Sequence, residues 1–288
     1  KNIDVVYYLV HSMAEKTHFL DSEKESAQNL QQALRHSNVK QVIFLGAIQP
    51  KEGGSSQHLL ARKITGEILR TCGIPVTELR AAIIIGPGSA AFEVMRDMVY
   101  SLPILTPPRW VRSKSSPIAL ENLLVYLSEM LNHPAEQNRI FDVGGPEYIS
   151  YQNMFERFIA ITSKKRWIIP IPLPTQLISV YWLKMITTVP THIAKALIEG
   201  LKYNLPADSG PLEKLIPQQL IHYDDAVFTT LQKEQLAVNS ADWDYDPEAR
   251  ARWRPDYAFY AKQAGYSIKT TASPDSVWQI FQQIGGPE

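Results

Sequence analysis

The chain has 288 residues, 45% of them apolar and 20% charged, which is enough to bury a core and excludes a disordered or collagen-like protein. Its 29 basic and 29 acidic residues cancel to a net charge of +0, so no global field draws nucleic acid or an anionic surface, and no nucleic-acid partner is expected. The single cysteine, Cys72, excludes an internal disulfide framework and a cysteine-based zinc cluster, and it fits a reducing, cytoplasmic setting.

Lys1 leads at once into an apolar run without the charged leader or small-residue cleavage site of a signal peptide, so a start inside a longer protein is expected. Ile3 to Val10 (IDVVYYLV) is β-branched and aromatic throughout, which predicts a central parallel strand buried on both faces. Ser22 and Glu25 make a capping box ahead of Ala27, Leu30 and Leu34, predicting a helix to about His36. Val42 to Leu45 is the second strand, and a helical pattern through Leu60, Ile64 and Ile68 stops near Gly73. Val76 to Ile85 is the third strand. Helical spacing returns at Phe92, Met95 and Val99 and again over Leu120 to Leu131, followed by a strand at Arg139 to Val143. This β-α-β-α-β-α order predicts a doubly wound α/β fold of Rossmann type, with right-handed crossovers and helices on both faces of a parallel sheet.

Beyond Tyr151 the pattern changes to helices broken by prolines, so residues 1–150 read as the sheet domain and 151–262 as an added helical lobe. The apolar stretch 167–190 raises the question of a membrane span, but Pro170, Pro172, Pro174 and Lys184 argue for a lid helix, with surface association as the intermediate reading. Ser273-Pro274 caps an amphipathic helix carrying Val277, Ile280, Phe281 and Ile284, after a strand-like run at Tyr266 to Thr270. Residues 263–288 therefore read as the opening of a further domain.

In an open parallel sheet, ligands bind beyond the carboxyl ends of the strands, where helix N-termini and loop amides converge. That rule selects Val10-His11-Ser12-Met13, Gly46-Ala47-Ile48 and Ile85-Gly86-Pro87-Gly88, each of which also reads as a plain turn. Together with their spacing, SAQNLQQALRHSNVKQVIFLGA, LRAAIIIGPGS and FDVGGPEYIS resemble the extended and atypical short-chain dehydrogenase/reductase family, with its epimerase-like and NmrA-like branches, over residues 3 to 150. YYLVHSM, HLLAR, TPPRWVR and YWLKMITTVP resemble a bacterial group of these proteins with a C-terminal START-like domain, and TTASPDSVWQIFQQIGG is similar to the start of that domain.

The resemblance implies that Ile3 to Val10 is the family's fourth strand, and no G-x-x-G-x-x-G precedes it. It implies NAD(P) as cofactor, NADP(H) by preference, with the nicotinamide side met by Val10, His11, Ser12, Gly46, Ala47, Ala81, Ala82, Ile84 and Gly86. Active family members use a Ser or Thr at the end of the fifth strand and a Tyr with a Lys four residues on. Here Gly46 and Ala47, His58 and Arg62 stand in those places. The implied catalytic pair is His58 as proton carrier and Arg62 as ribose holder, one helical turn apart, although either residue also reads as structural. Ser55 or Ser56 could replace the lost hydroxyl, and Arg109, Trp110 and Arg112 combine cations and an aromatic suited to a phosphate or ring-bearing substrate, or else form a solvated strand face. Asp224, Asp225, Asp242, Asp244 and Asp246 lack the glycine and terminal glutamate of a calcium loop and read as solvated caps, and no metal site is expected. Three functions follow: NAD(P)-dependent oxidoreductase or nucleoside-diphosphate-sugar epimerase chemistry on a small molecule, a non-catalytic NAD(P)H sensor or scaffold of NmrA-like type, and a hydrophobic-ligand carrier.

Overall fold

Four strands form the central sheet: β1 (Val5–Tyr8), β2 (Gln41–Ala47), β3 (Val76–Ala81) and β8 (Ile140–Val143), all parallel and adjacent in the order β1-β2-β3-β8. The computed structural model describes residues 3–11, 19–51, 54–107, 109–133, 138–169 and 191–239, with a few positions between 272 and 279. Successive strand residues point to opposite faces. Val42 and Phe44 pack with Leu34, Leu69, Cys72 and Val76 beneath helices α1 (Phe19–Arg35) and α2 (Gln57–Leu69). Ile43, Leu79 and Phe141 pack on the other face with Leu123, Tyr126 and Leu127 of α4 (Leu120–Glu129). Two buried faces explain why β2 is apolar along its length without alternation.

Three expectations are corrected. The run Ile3–Val10 is not a central strand: only Val5–Tyr8 is strand, β1 is the edge of the sheet among the described residues, and Tyr7, Leu9 and Val10 are exposed. An edge strand joined to a sheet on one side keeps the same composition as a central one, so composition alone did not separate them. Ser22 lies inside α1, which already covers Phe19, so the Ser22 and Glu25 pair is not a cap. The third strand ends at Ala81, and Ile84–Ile85 (β4) leaves the main sheet to pair with β7 (Ile118–Ala119). This turn away from the sheet carries the chain into α3 (Ala90–Ser101), whose N-cap Ser89 accepts the Phe92 N–H at 3.4 Å.

Short pairs join the lobe to this frame: β5 (Ile104–Leu105) with β10 (Trp167–Ile168), and β6 (Lys114–Ser115) with β9 (Ile149–Ser150). The lobe core unites α3, α5 (Tyr151–Ile161) and the helices Thr191–Gly200 and Tyr223–Asn239. The segment after β8 fastens them. Glu147 accepts Arg157 at 2.6 Å and the Tyr223 N–H at 2.8 Å, while Arg157 also donates to Asp224 at 2.7 Å. Asp224 thus serves an ion pair. Most of 167–190, the 262/263 boundary, Tyr266–Thr270 and the stripe Val277, Ile280, Phe281 and Ile284 lie outside the described residues, while Ser273 Oγ accepts the Ser276 N–H at 3.2 Å, as an N-cap does. Among the described residues no helix is long and apolar enough to cross a membrane.

The glycines of FDVGGPEYIS are packing positions. A Cβ on Gly145 would stand 2.1 Å from the Pro117 carbonyl oxygen, and one on Gly144 would stand 2.5 Å from Ala207 Cβ. The Pro117 oxygen is backbone and accepts the Gly145 N–H at 3.0 Å, so it cannot yield. Gly145→Ala is expected to destabilise the protein by about 1–3 kcal/mol through overpacking, read as a lowered urea midpoint.

Candidate functional site

Parallel strands joined by return helices deliver their carboxyl ends to one rim. At that rim lies a cavity of about 420 Å³, within the roughly 300–1,000 Å³ of small-molecule sites. Leu9 and His11 follow β1, Leu45, Gly46 and Ala47 end β2, and Ala81, Ala82, Ile83 and Ile84 follow β3. Pro87 to Ala91 at the start of α3 form another side, and Ile193, Leu197 and Leu201 cover the cavity from the lobe.

His58 and Arg62 both line this cavity. Ser56 places them there: its hydroxyl accepts the Leu59 N–H at 3.2 Å, capping α2 at the rim, so residues 58 and 62 share the face turned to the strands. The Ser56 hydroxyl, one of the two sequence candidates for the lost catalytic hydroxyl, thus serves as a helix cap. Arg62 is held tightly. Its side chain is 6% exposed and lies 3.4 Å from Glu23 of α1, whose own side chain is 1% exposed. It donates to the Val10 carbonyl at 2.9 Å and to the Leu45 carbonyl, and its guanidinium carbon stands 4.8 Å from the centre of the Phe44 ring. One side chain therefore ties α1, α2 and the ends of β1 and β2.

Burial, then the charge of Arg62 and the neighbouring His11, pushes the His58 pKa down to about 4. His11 is lowered by burial and by Arg62, with Glu23 opposing. Both imidazoles are neutral at neutral pH. A neutral imidazole is an N–H donor at one nitrogen and an acceptor at the other, so His58 can donate a hydrogen bond to a carbonyl or accept one from a hydroxyl while it stays uncharged beside Arg62.

Of the other sequence-selected residues, Gly46 lines the cavity, but its lack of a side chain serves Glu78. A Cβ there would stand 2.7 Å from Glu78 Oε1, as one on Gly66 of α2 would stand 2.8 Å from Oε2. The Glu78 carboxylate, buried between these glycines, pairs with Arg70 and with Arg80 at 2.8 Å. Gly86 is buried, lies outside the cavity lining and accommodates Leu120, whose Cβ would be 2.4 Å from an added one. Val10 reaches the site through its carbonyl, and Ser12 lies outside the described residues. Arg109, Trp110 and Arg112 lie in a 3-10 turn instead of a strand; Arg112 is exposed and does not line the cavity, while the side chains of Arg109 and Trp110 lie outside what the structure describes.

Sequence reasoning missed Glu23, Tyr151 and the lobe residues. Glu23 was legible: positions 23, 27, 30 and 34 form the buried stripe of α1, and a carboxylate on such a stripe requires a cation. Tyr151 opens α5 and lines the cavity, with its phenol raised to about 12 by burial. Nothing local marks Leu197, Leu201 or Leu205, which arrive by tertiary packing. Among the described residues no group of three or more His, Cys, Asp or Glu stands close enough to hold a metal ion.

The donor set fits the ring-and-ribose end of a nicotinamide, with small and apolar strand ends and two neutral imidazoles. Among the described residues lining the cavity the one permanent cation, Arg62, is already paired with Glu23, so none of these side chains supplies a free positive charge for the pyrophosphate end.

Comparison with solved structures places the architecture. A nucleoside-diphosphate-sugar epimerase from Staphylococcus aureus matches with a TM-score of 0.62 at 14% identity, covering 79% of this chain and 77% of that one. The fold is Rossmann-like. UDP-glucose 4-epimerase from Bifidobacterium longum, solved with NAD+ and UDP, gives 0.63 at 16% identity over 83% of this chain and 78% of that one. A triphenylmethane reductase from Citrobacter gives 0.63 at 16% over 80% and 77%. No protein-family profile and no curated protein matches the sequence.

Arg62→Met strands the Glu23 charge in the core and is expected to cost about 3–5 kcal/mol, most of it recovered in the Arg62→Met, Glu23→Leu double variant; urea unfolding of the three proteins checks this. The His58 pKa of about 4 lies below the ordinary 6.5, so between those values the unfolded chain binds the proton that the folded one refuses. Stability is therefore full above about pH 6.5 and declines as the pH falls toward 4, by on the order of 3 kcal/mol at about 1.4 kcal/mol per tenfold change in the protonation equilibrium. Urea midpoints across this range for the protein and for His58→Gln, which loses that part of the slope, provide the measurement.

Proposed function

We propose that the chain is an NAD(P)-dependent oxidoreductase or epimerase-like enzyme acting on a small molecule held between the strand ends and the lobe. The observation that carries this reading is the meeting of His11, Gly46, Ala47, His58, Arg62, Ala81, Ala82 and Ile84 around one cavity. The neighbours' epimerase and reductase activities and their NAD complexes support it. When bound, the nicotinamide supplies hydride exchange. His58 meets the substrate's oxygen as a neutral hydrogen-bond partner, and Arg62 fixes the two strand ends against which the ring lies. The C-terminal segment, by its resemblance, opens a START-like domain.

The second reading, a dinucleotide sensor without turnover, is favoured by the commitment of Arg62 to Glu23 and two carbonyls, which occupies the place of the family's lysine with a structural tie. Fluorescence titration with NADH and NADPH tests both, and binding of at least one is expected. His58→Gln should then lower kcat by about 100-fold or more, as for loss of an acid/base partner, with a much smaller effect on nicotinamide binding. Nicotinamide binding with no turnover in any carbonyl or sugar-nucleotide panel selects the sensor, and no binding of either nicotinamide overturns both readings.

A further inference from the structure

We infer that the substrate end of this cavity takes an uncharged, largely apolar ring-bearing molecule and not a nucleoside diphosphate. The inference names the substrate class of the site proposed above and rests on that reading for the reaction, though not for the binding. A diphosphate brings two negative charges that must be met by cations or aimed donors once water is excluded. Among the described residues lining the cavity, Arg62 is the one permanent cation. Its charge is matched by buried Glu23, and its described hydrogen bonds go to that carboxylate and to the carbonyls of Val10 and Leu45. The N-terminus of α3 adds about half a charge at most, and the Phe92 N–H there is already taken by Ser89.

The walls carry the opposite signal. Ile193 and Leu197 stand one turn apart on the lobe helix, and with Leu201 they cover a floor of Ala81 and Ala82. Apolar surface on two opposed sides, with a cavity this size between them, binds by removing area from water. The His58 imidazole supplies a hydrogen-bonding group at the edge, enough to orient a carbonyl and far short of what a diphosphate requires.

The test is calorimetric titration of the whole chain with 2-methyl-1,4-naphthoquinone and with UDP-glucose, each with and without NADPH. The naphthoquinone is expected to bind at least 100-fold more tightly than UDP-glucose. Leu197→Asn, at a half-buried position in the apolar wall, should weaken the quinone about tenfold in protein that its urea transition shows to be folded, and Leu201→Asn serves the same purpose if the first variant unfolds. Tighter binding of UDP-glucose overturns the inference, as does binding of neither probe, or quinone binding indifferent to the leucine variants. Quinone binding in a protein that binds no nicotinamide upholds the inference and removes the proposed reaction, so the two fail separately.

Discussion

The contact on which the site depends is the buried pair of Arg62 and Glu23. Two charges taken out of water recover that cost only when their geometry is close and their remaining hydrogen-bonding capacity is used, and here the carbonyls of Val10 and Leu45 use it. The result is positional. Two helices and two strand ends are fixed around one guanidinium, and the cavity floor is what this arrangement leaves between them. Burial first, and the same cation second, keep the neighbouring imidazoles neutral.

A second buried carboxylate lies on the same face of the sheet, beneath α2. Glu78 is surrounded by Gly46, Gly66, Arg70 and Arg80, so that β2, β3 and α2 approach more closely than side chains at 46 and 66 would allow. Glycine at a strand end is commonly assigned to ligand contact. At Gly46 and Gly86 the neighbouring protein atoms supply sufficient reason, and the ligand-facing surface comes from the alanines and leucines beside them.

Much of the fold was legible because its determinants are local. The apolar run of β2, the stripe of α1 and the alternation of elements each follow from short-range pattern. The edge position of β1 was not legible, since a strand's own residues do not state what lies beside it. The exit of β4 from the sheet was hidden for a related reason: Val76 to Ile85 is one β-forming run, and the break after Ala81 is decided by β7, distant in sequence. In the site, the resemblance singled out His58 and Arg62, their spacing put them on one helix face, and strand ends placed His11, Gly46 and Ala47 beside them. The lobe's contribution depends on contacts more than a hundred residues apart, which no window along the chain contains.

The Glu147 clamp sets a dimension. Because one carboxylate on the loop after β8 holds both Arg157 of α5 and the backbone of Tyr223, the roof of the cavity belongs to a lobe bolted to the same frame as its floor. The gap between them is thereby set by the one frame that carries both.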